Sequence, residues 1–216
     1  VTTATTSDND VVPEHVCREL IDVGADAVRR DLVLGSGGNL SVRLEADRYL
    51  VTCKGTWLDR LTVDDFCVID GHGTVHRGNG EPTSEWKLHT RTYEARSDVN
   101  CVIHLHPQMS LMVDALGYPI RLLTMDHANY VRKVNRTDFY HNGTDELADT
   151  AAMAVADANC VVMAYHGCSC IGPTVDMAYR RALNLEQAAM MTYRLLTLND
   201  TAATFPPEAL DRLYHK

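Results

Sequence analysis

The residues best equipped for chemistry lie in two nearby stretches, Glu81-Pro-Thr-Ser-Glu-Trp86 and Val102-Ile-His-Leu-His-Pro107. His104, Leu105 and His106 read as the end of a strand, where alternation sends both imidazoles to one face. Two histidines in that relation can grip one divalent cation. A third imidazole would complete a facial set, and a carboxylate would close the site or act as a base. His166, followed by Gly167 after the apolar run Cys160 to Ala164, is the natural third.

Several elements must position these groups. Pro13 to Asp31 has apolar residues at helical spacing, with proline in the first turn, and predicts an amphipathic opening helix. Tyr49 to Cys53 and Phe66 to Ile69 read as strands of a hairpin-rich sheet. Thr83-Ser84-Glu85 opens a helix that runs to Ala95. Pro107 begins another through Met112 to Leu116, stopped by Gly117-Tyr-Pro119. Thr144 caps a helix to Asp157, Cys160 to Ala164 is a buried strand, and Ser169 to Ile171 pairs with it across Gly167. Thr174 to Leu198 is a long helix, and Pro207 to Tyr214 a short one. Thr124 to Tyr130 carries ionisable groups without periodicity and reads as a functional loop. The pattern predicts one mixed α/β domain over 10–216, three-layered α/β/α with a largely antiparallel sheet between helices, preceded by a disordered tail over 1–9.

With 216 residues, 45% apolar and 23% charged, the composition is that of a soluble globular domain, and no apolar run approaches a membrane span. A formal charge of −9 argues against a general nucleic-acid binder, which needs a basic face. The start of the sequence lacks the basic flank and apolar core of a signal peptide. Seven cysteines, mostly inside apolar runs and without CxxC pairs, suit buried thiols in a reducing, cytoplasmic setting. Cys168 and Cys170 would share a strand face, where packing is the expected role. His15, His72, His76, His89, His141 and His215 lack a ligand context and are expected to be structural or exposed.

Three places could meet an anion. Leu34-Gly-Ser-Gly-Gly-Asn-Leu-Ser-Val42 is a glycine-rich turn entering a strand, unlike a nucleotide loop, which enters a helix. It serves either as a tight turn or as an anion cradle with Asn39 and Ser41 as donors. Lys54-Gly55 ends a strand, where the ammonium meets either a phosphate or solvent. Thr83-Ser84 at a helix start suits an anion and plain capping equally.

Four of these motifs, Gly35-Ser-Gly-Gly-Asn-Leu-Ser-Val-Arg43, Pro82-Thr-Ser-Glu-Trp86, Asp98-Val-Asn-Cys-Val-Ile-His-Leu-His-Pro107 and His166-Gly167 with Gly172, resemble the class II aldolase/adducin family in order and near spacing. The resemblance runs from the opening helix to about Leu198, and its nearest style is that of the fuculose-phosphate aldolases. It implies zinc, or another divalent ion such as Mn2+ or Co2+, held by His104, His106 and His166, with Glu85 as a fourth ligand able to swing away as the acid/base. It implies a phosphate pocket at Asn39, Gly55, Thr83 and Ser84, shaped by Gly38 and Ser41, and a cyclic homotetramer whose active sites lie between subunits; Lys54, where the family often has a small hydroxyl residue, would add a charge. The implied reaction breaks the bond between carbons 3 and 4 of a ketose 1-phosphate, giving dihydroxyacetone phosphate and a short aldehyde. Where the fuculose group has a tyrosine after the second strand, this chain has Met125. Asp126, His127, Tyr130 and Tyr214 are then the candidates for the second proton transfer. A pentulose-phosphate 4-epimerase or a methylthioribulose-phosphate dehydratase would use the same anion chemistry. A non-enzymatic adducin-like module would not need the full set of three histidines and Glu85.

Overall fold

Alternating apolar side chains along the strands supply two cores, one on each face of a mixed eight-stranded sheet ordered β4-β3-β2-β1-β5-β8-β7-β6. The computed structural model describes residues 12–214, so the expected tail over 1–9, both ends of the expected 10–216 domain and His215 lie outside the described residues. The strands are β1 (Asn39–Glu45), β2 (Arg48–Thr52), β3 (Phe66–Ile69), β4 (Val75–Arg77), β5 (Cys101–Leu105), β6 (Val134–Thr137), β7 (Cys160–Met163) and β8 (Gly167–Gly172). The helices are α1 (Glu14–Arg29), α2 (Trp86–Ala95), α3 (Gln108–Ala115), α4 (Asp145–Ala154), α5 (Val175–Thr197) and α6 (Pro207–Tyr214). Neighbouring strands are antiparallel except β6 and β7, which α4 connects in parallel.

Leu40, Cys101, Ile103, Cys168 and Cys170 pack with Cys17, Leu20 and Ala27 of α1 and with Ala178, Ala182 and Leu185 of α5. Val51, Val102, Val161 and Ile171 pack on the opposite face with Leu88 and Tyr93 of α2 and with Leu147 and Ala151 of α4. This is the expected three-layer arrangement. The alternation of β5 through Val102 continues at His104, so that ring stands on the α2 and α4 face. Each fully buried aliphatic side chain contributes about 1.5–3 kcal/mol, and all five residues of β5 are buried. The strand carrying His104 is therefore anchored from both faces and from two neighbouring strands.

All seven cysteines are free and buried, with Cys168 and Cys170 in the core as packing residues. Thr144 and Thr174 cap α4 and α5 by accepting from Leu147 N and Met177 N. Helix α4 ends at Ala154, short of the expected Asp157. Two strands escape the sequence pattern: β4 is largely exposed, and β6 alternates too weakly to stand out. The Thr124–Tyr130 loop runs into a π-helical turn, His127–Val131. Among the described residues no helix is long and apolar enough to cross a membrane.

Candidate metal centre and anion cleft

Register brings the site together. β5 lies between β1 and β8, with Asn39 paired to His104 and His104 paired to Ser169. The turn from β7 to β8 carries Tyr165, at φ 57°, and His166 back over the end of β5. Helix α2 delivers Glu85 as its N-cap residue. The backbone ties Lys54 N to Glu81 O and Thr83 N to Thr52 O hold the strand-end loop against the helix start.

One ligand atom from each of His104, His106 and His166 lies within 4.8 Å of the others. The Nε2 atoms of His104 and His106 are 3.0 Å apart. Glu85 sits among them, Oε2 3.2 Å from His104 Nε2 and Oε1 3.1 Å from His166 Nε2. Burial by itself would raise the pKa of Glu85, but the charges and hydrogen bonds of His104 and then His166 outweigh it and hold the carboxyl well below the usual range. Burial, reinforced by the neighbouring His104 and His166, lowers the pKa of His106 to about 3, so its imidazole is neutral and its lone pair available. Three converging imidazoles with one anionic carboxylate form a donor set that fits a divalent cation.

The rings are fixed by packing. Nδ1 of His104 and Nδ1 of His166 are buried and meet no protein hydrogen-bond partner. Gly167 supplies the space instead. A Cβ there would come within 2.6 Å of His106 Cδ2 and 2.7 Å of both His104 Cε1 and Leu105 O. Gly38, at φ +74°, likewise lets the glycine-rich turn approach the His104 carbonyl.

A cleft of about 320 Å³ opens onto this cluster, lined by the glycine-rich turn, Lys54, Gly55, Thr56, Thr83, Ser84, Glu85, His106 and His166. Of the residues read as anion donors, Gly38, Asn39, Lys54, Gly55, Thr83 and Ser84 all face it. Lys54 stands at the exposed lip, 3.2 Å from Glu81. Thr83 Oγ1 also accepts from Glu85 N in the turn just before the helix, while facing the cleft. Ser41 is elsewhere: its hydroxyl is fully buried behind the cleft, bonded to His89 Nδ1 at 2.6 Å and Tyr93 OH at 2.7 Å, and no anion can reach it.

The Asp126 to Tyr130 group does not line this cleft. His127 is buried, its Nδ1 accepting from Leu123 N and its Nε2 bonded to Gln187 Oε1, which makes it a pin for its own turn. Asp126 is exposed, and Tyr130 is partly buried near Arg180. Tyr214 ends α6, and its side chain lies outside the described residues.

Several cleft residues gave no sequence signal. Phe139, Tyr140, His141 and Asn142 form one wall, and Tyr165 a rim. His141, expected to be structural or exposed, thus belongs to the cleft. His89, placed in the same class, is fully buried and bonded to Asn39 Oδ1. Both reach the site through tertiary packing, and a helical spacing of Glu85 to His89 was the one available hint.

Residues 18–193 match the model of the class II aldolase and adducin N-terminal domain. An L-fuculose phosphate aldolase of Methanocaldococcus jannaschii is 34% identical over 177 residues, covering 82% of this chain and 91% of its own. A 5-methylthioribulose-1-phosphate/5-deoxyribulose-1-phosphate aldolase of Rhodospirillum rubrum is 31% identical, covering 91% of this chain and 88% of its own. A solved L-fuculose 1-phosphate aldolase superposes with a TM-score of 0.88 at 27% identity, over 97% of this chain and 98% of its own.

Proposed function

Because the chain belongs to the class II aldolase and adducin N-terminal domain family, we propose that it is a zinc-dependent ketose-1-phosphate aldolase. Its substrate is of the fuculose 1-phosphate or 5-deoxypentulose 1-phosphate type, cleaved reversibly into dihydroxyacetone phosphate and a short aldehyde. The convergence of His104, His106, His166 and Glu85 beside a cleft of anion donors carries this reading. When bound, the cation supplies Lewis-acid polarisation of the substrate carbonyl and stabilises the enediolate charge.

The protein's own groups do the rest. His104, His106 and His166 hold the cation, leaving Glu85 as the nearest base for the proton at the dihydroxyacetone phosphate carbon. Gly38, Asn39, Gly55, Thr83 and Ser84 offer neutral donors to the phosphate, and Lys54 at the lip adds a charge. The wall of Phe139 and Tyr140 with the rim Tyr165 presents aromatic surface to the departing aldehyde, which favours a small apolar product. The similarity to a relative named for deoxyribulose phosphate supports that end of the range. Tyr140, His141 and Tyr165 carry exchangeable protons at the cleft itself. In a cyclic homotetramer with active sites between subunits, Asp126, Tyr130 and Tyr214 would act from a neighbouring copy.

The test is a product assay on the zinc-loaded protein with fuculose 1-phosphate and a 5-deoxypentulose 1-phosphate, coupled to detection of dihydroxyacetone phosphate. Release of that product is expected, with the faster substrate ranking the aldehydes. Consumption of either substrate without it would overturn the aldolase reading in favour of epimerisation or dehydration.

A further inference from the structure

We infer that His89, backed by Ser41 and Tyr93, is a positioning residue that fixes the orientation of Glu85 through Asn39. Helix α2 with its N-cap carries Glu85, His89 and Tyr93 four residues apart on one face, and β1 carries Asn39 and Ser41 on the face opposite. The two rows interdigitate as Glu85, Asn39, His89, Ser41 and Tyr93, each hydrogen-bonded to the next. All five are buried, with Ser41 and His89 at 0% exposure.

The direction of every bond is forced from one end. An ionised Glu85 only accepts, so Asn39 must turn Nδ2 toward Oε2, at 2.8 Å. Asn39 Oδ1 then faces His89 Nε2, which must donate, leaving Nδ1 as an acceptor. Ser41 must donate to that nitrogen, and Tyr93 must donate to Ser41. Five groups thus share one polarity, ending on the carboxylate oxygen nearest His104. A flipped Asn39 amide would set a carbonyl against a carboxylate and an N–H against an N–H. The Asn39–Glu85 bond opposes that flip from one side of the amide and His89 opposes it from the other. In a buried network an unpaired member is costly, so the constraint is stiff.

The role in turnover rests on the aldolase reading, and the hydrogen-bond polarity does not. Nitrogen NMR of the zinc-loaded full chain should show His89 as the neutral Nε2–H tautomer; the Nδ1–H tautomer would overturn the relay whether or not the protein is an aldolase. His89→Leu should lower kcat about 10-fold or more, the range seen for outer partners of metal ligands, with KM for the sugar phosphate and zinc content within about twofold of wild type. His89→Gln, whose amide N–H can stand in for Nε2–H, should recover most of the loss. Equal losses in both variants, or an undiminished kcat in a folded His89→Leu, would refute the positioning role. If His89→Leu does not fold, Ser41→Ala, which removes the donor to Nδ1 together with the acceptor for Tyr93, should lower kcat several-fold at constant zinc, and an unchanged kcat there refutes it equally. A wild-type protein that releases no dihydroxyacetone phosphate overturns the aldolase reading, and the tautomer then decides the relay alone.

Discussion

Replacing Gly167 by alanine adds one methyl group at the point where two of the three candidate ligand rings meet the β7–β8 turn. The new Cβ would stand 2.6 Å from His106 Cδ2 and 2.7 Å from His104 Cε1, and the third close atom, Leu105 O at 2.7 Å, is backbone in the central strand. Carbon atoms rest at about 3.5–4.0 Å, so each ring must retreat by roughly 1 Å. Nδ1 of His104, one of the two displaced rings, has no protein hydrogen-bond partner to restore its orientation. Overpacking of this kind costs about 1–3 kcal/mol, and each kcal/mol lowers the melting temperature of a chain this size by roughly 2–4 °C. The functional loss should be larger, because misplacement by about 1 Å can cost on the order of 100-fold in turnover and ligand distances tolerate only about 0.2 Å. The assay is zinc content after dialysis against a graded chelator, run beside a thermal melt of the metal-free protein. A Gly167→Ala variant that melts within these bounds yet keeps zinc as tightly as wild type would refute the claim that packing at Gly167 orients the rings.

His106→Ala should release zinc and abolish turnover together while leaving a folded protein, read by metal analysis and circular dichroism; full activity in a metal-free variant would sink the mechanism. Glu85→Gln should keep much of the zinc and lose about 10²–10⁴-fold in turnover. Normal proton exchange at dihydroxyacetone phosphate in that variant would remove Glu85 from the base role. Acid should destabilise the fold through His89, whose pKa burial lowers to about 3. A group with a depressed folded value binds its proton first in the unfolded chain, so stability falls as pH drops from about 6.5 toward about 3. The slope from this one residue is at most about 1.4 kcal/mol per pH unit, and denaturant melts of His89→Gln should show a correspondingly flatter acid limb. Equal slopes in the two proteins would contradict a neutral buried His89.

What the sequence disclosed and what it concealed follow from the range of the interactions. His104 and His106 were legible because a strand's two-residue period is local, and Thr83-Ser84-Glu85 was legible as a helix start for the same reason, whereas the role of Glu85 at the metal followed from the family resemblance. Thr144 and Thr174 cap their helices for the same reason. Ser41 was placed with the anion donors because its neighbours in sequence are there, yet two residues further along β1, on the same face as Asn39, it lies beneath α2, where His89 and Tyr93 claim its hydroxyl. His89 had no apparent partner because its partners lie 48 and 50 residues away. The β6 strand and the Phe139–Asn142 wall depend on α4 docking against α2, a contact with no short-range pattern. The two ion pairs from Arg91 to Asp145 and Asp149 fasten that contact at the surface. The local rules therefore disclose the groups that would touch metal and phosphate, because each sits where a strand or helix begins or ends. They miss the groups that hold those in place, whose position is a property of two elements at once. In this protein the second class is no less specific: reversing a single amide at Asn39 would break hydrogen bonds at both Glu85 and His89.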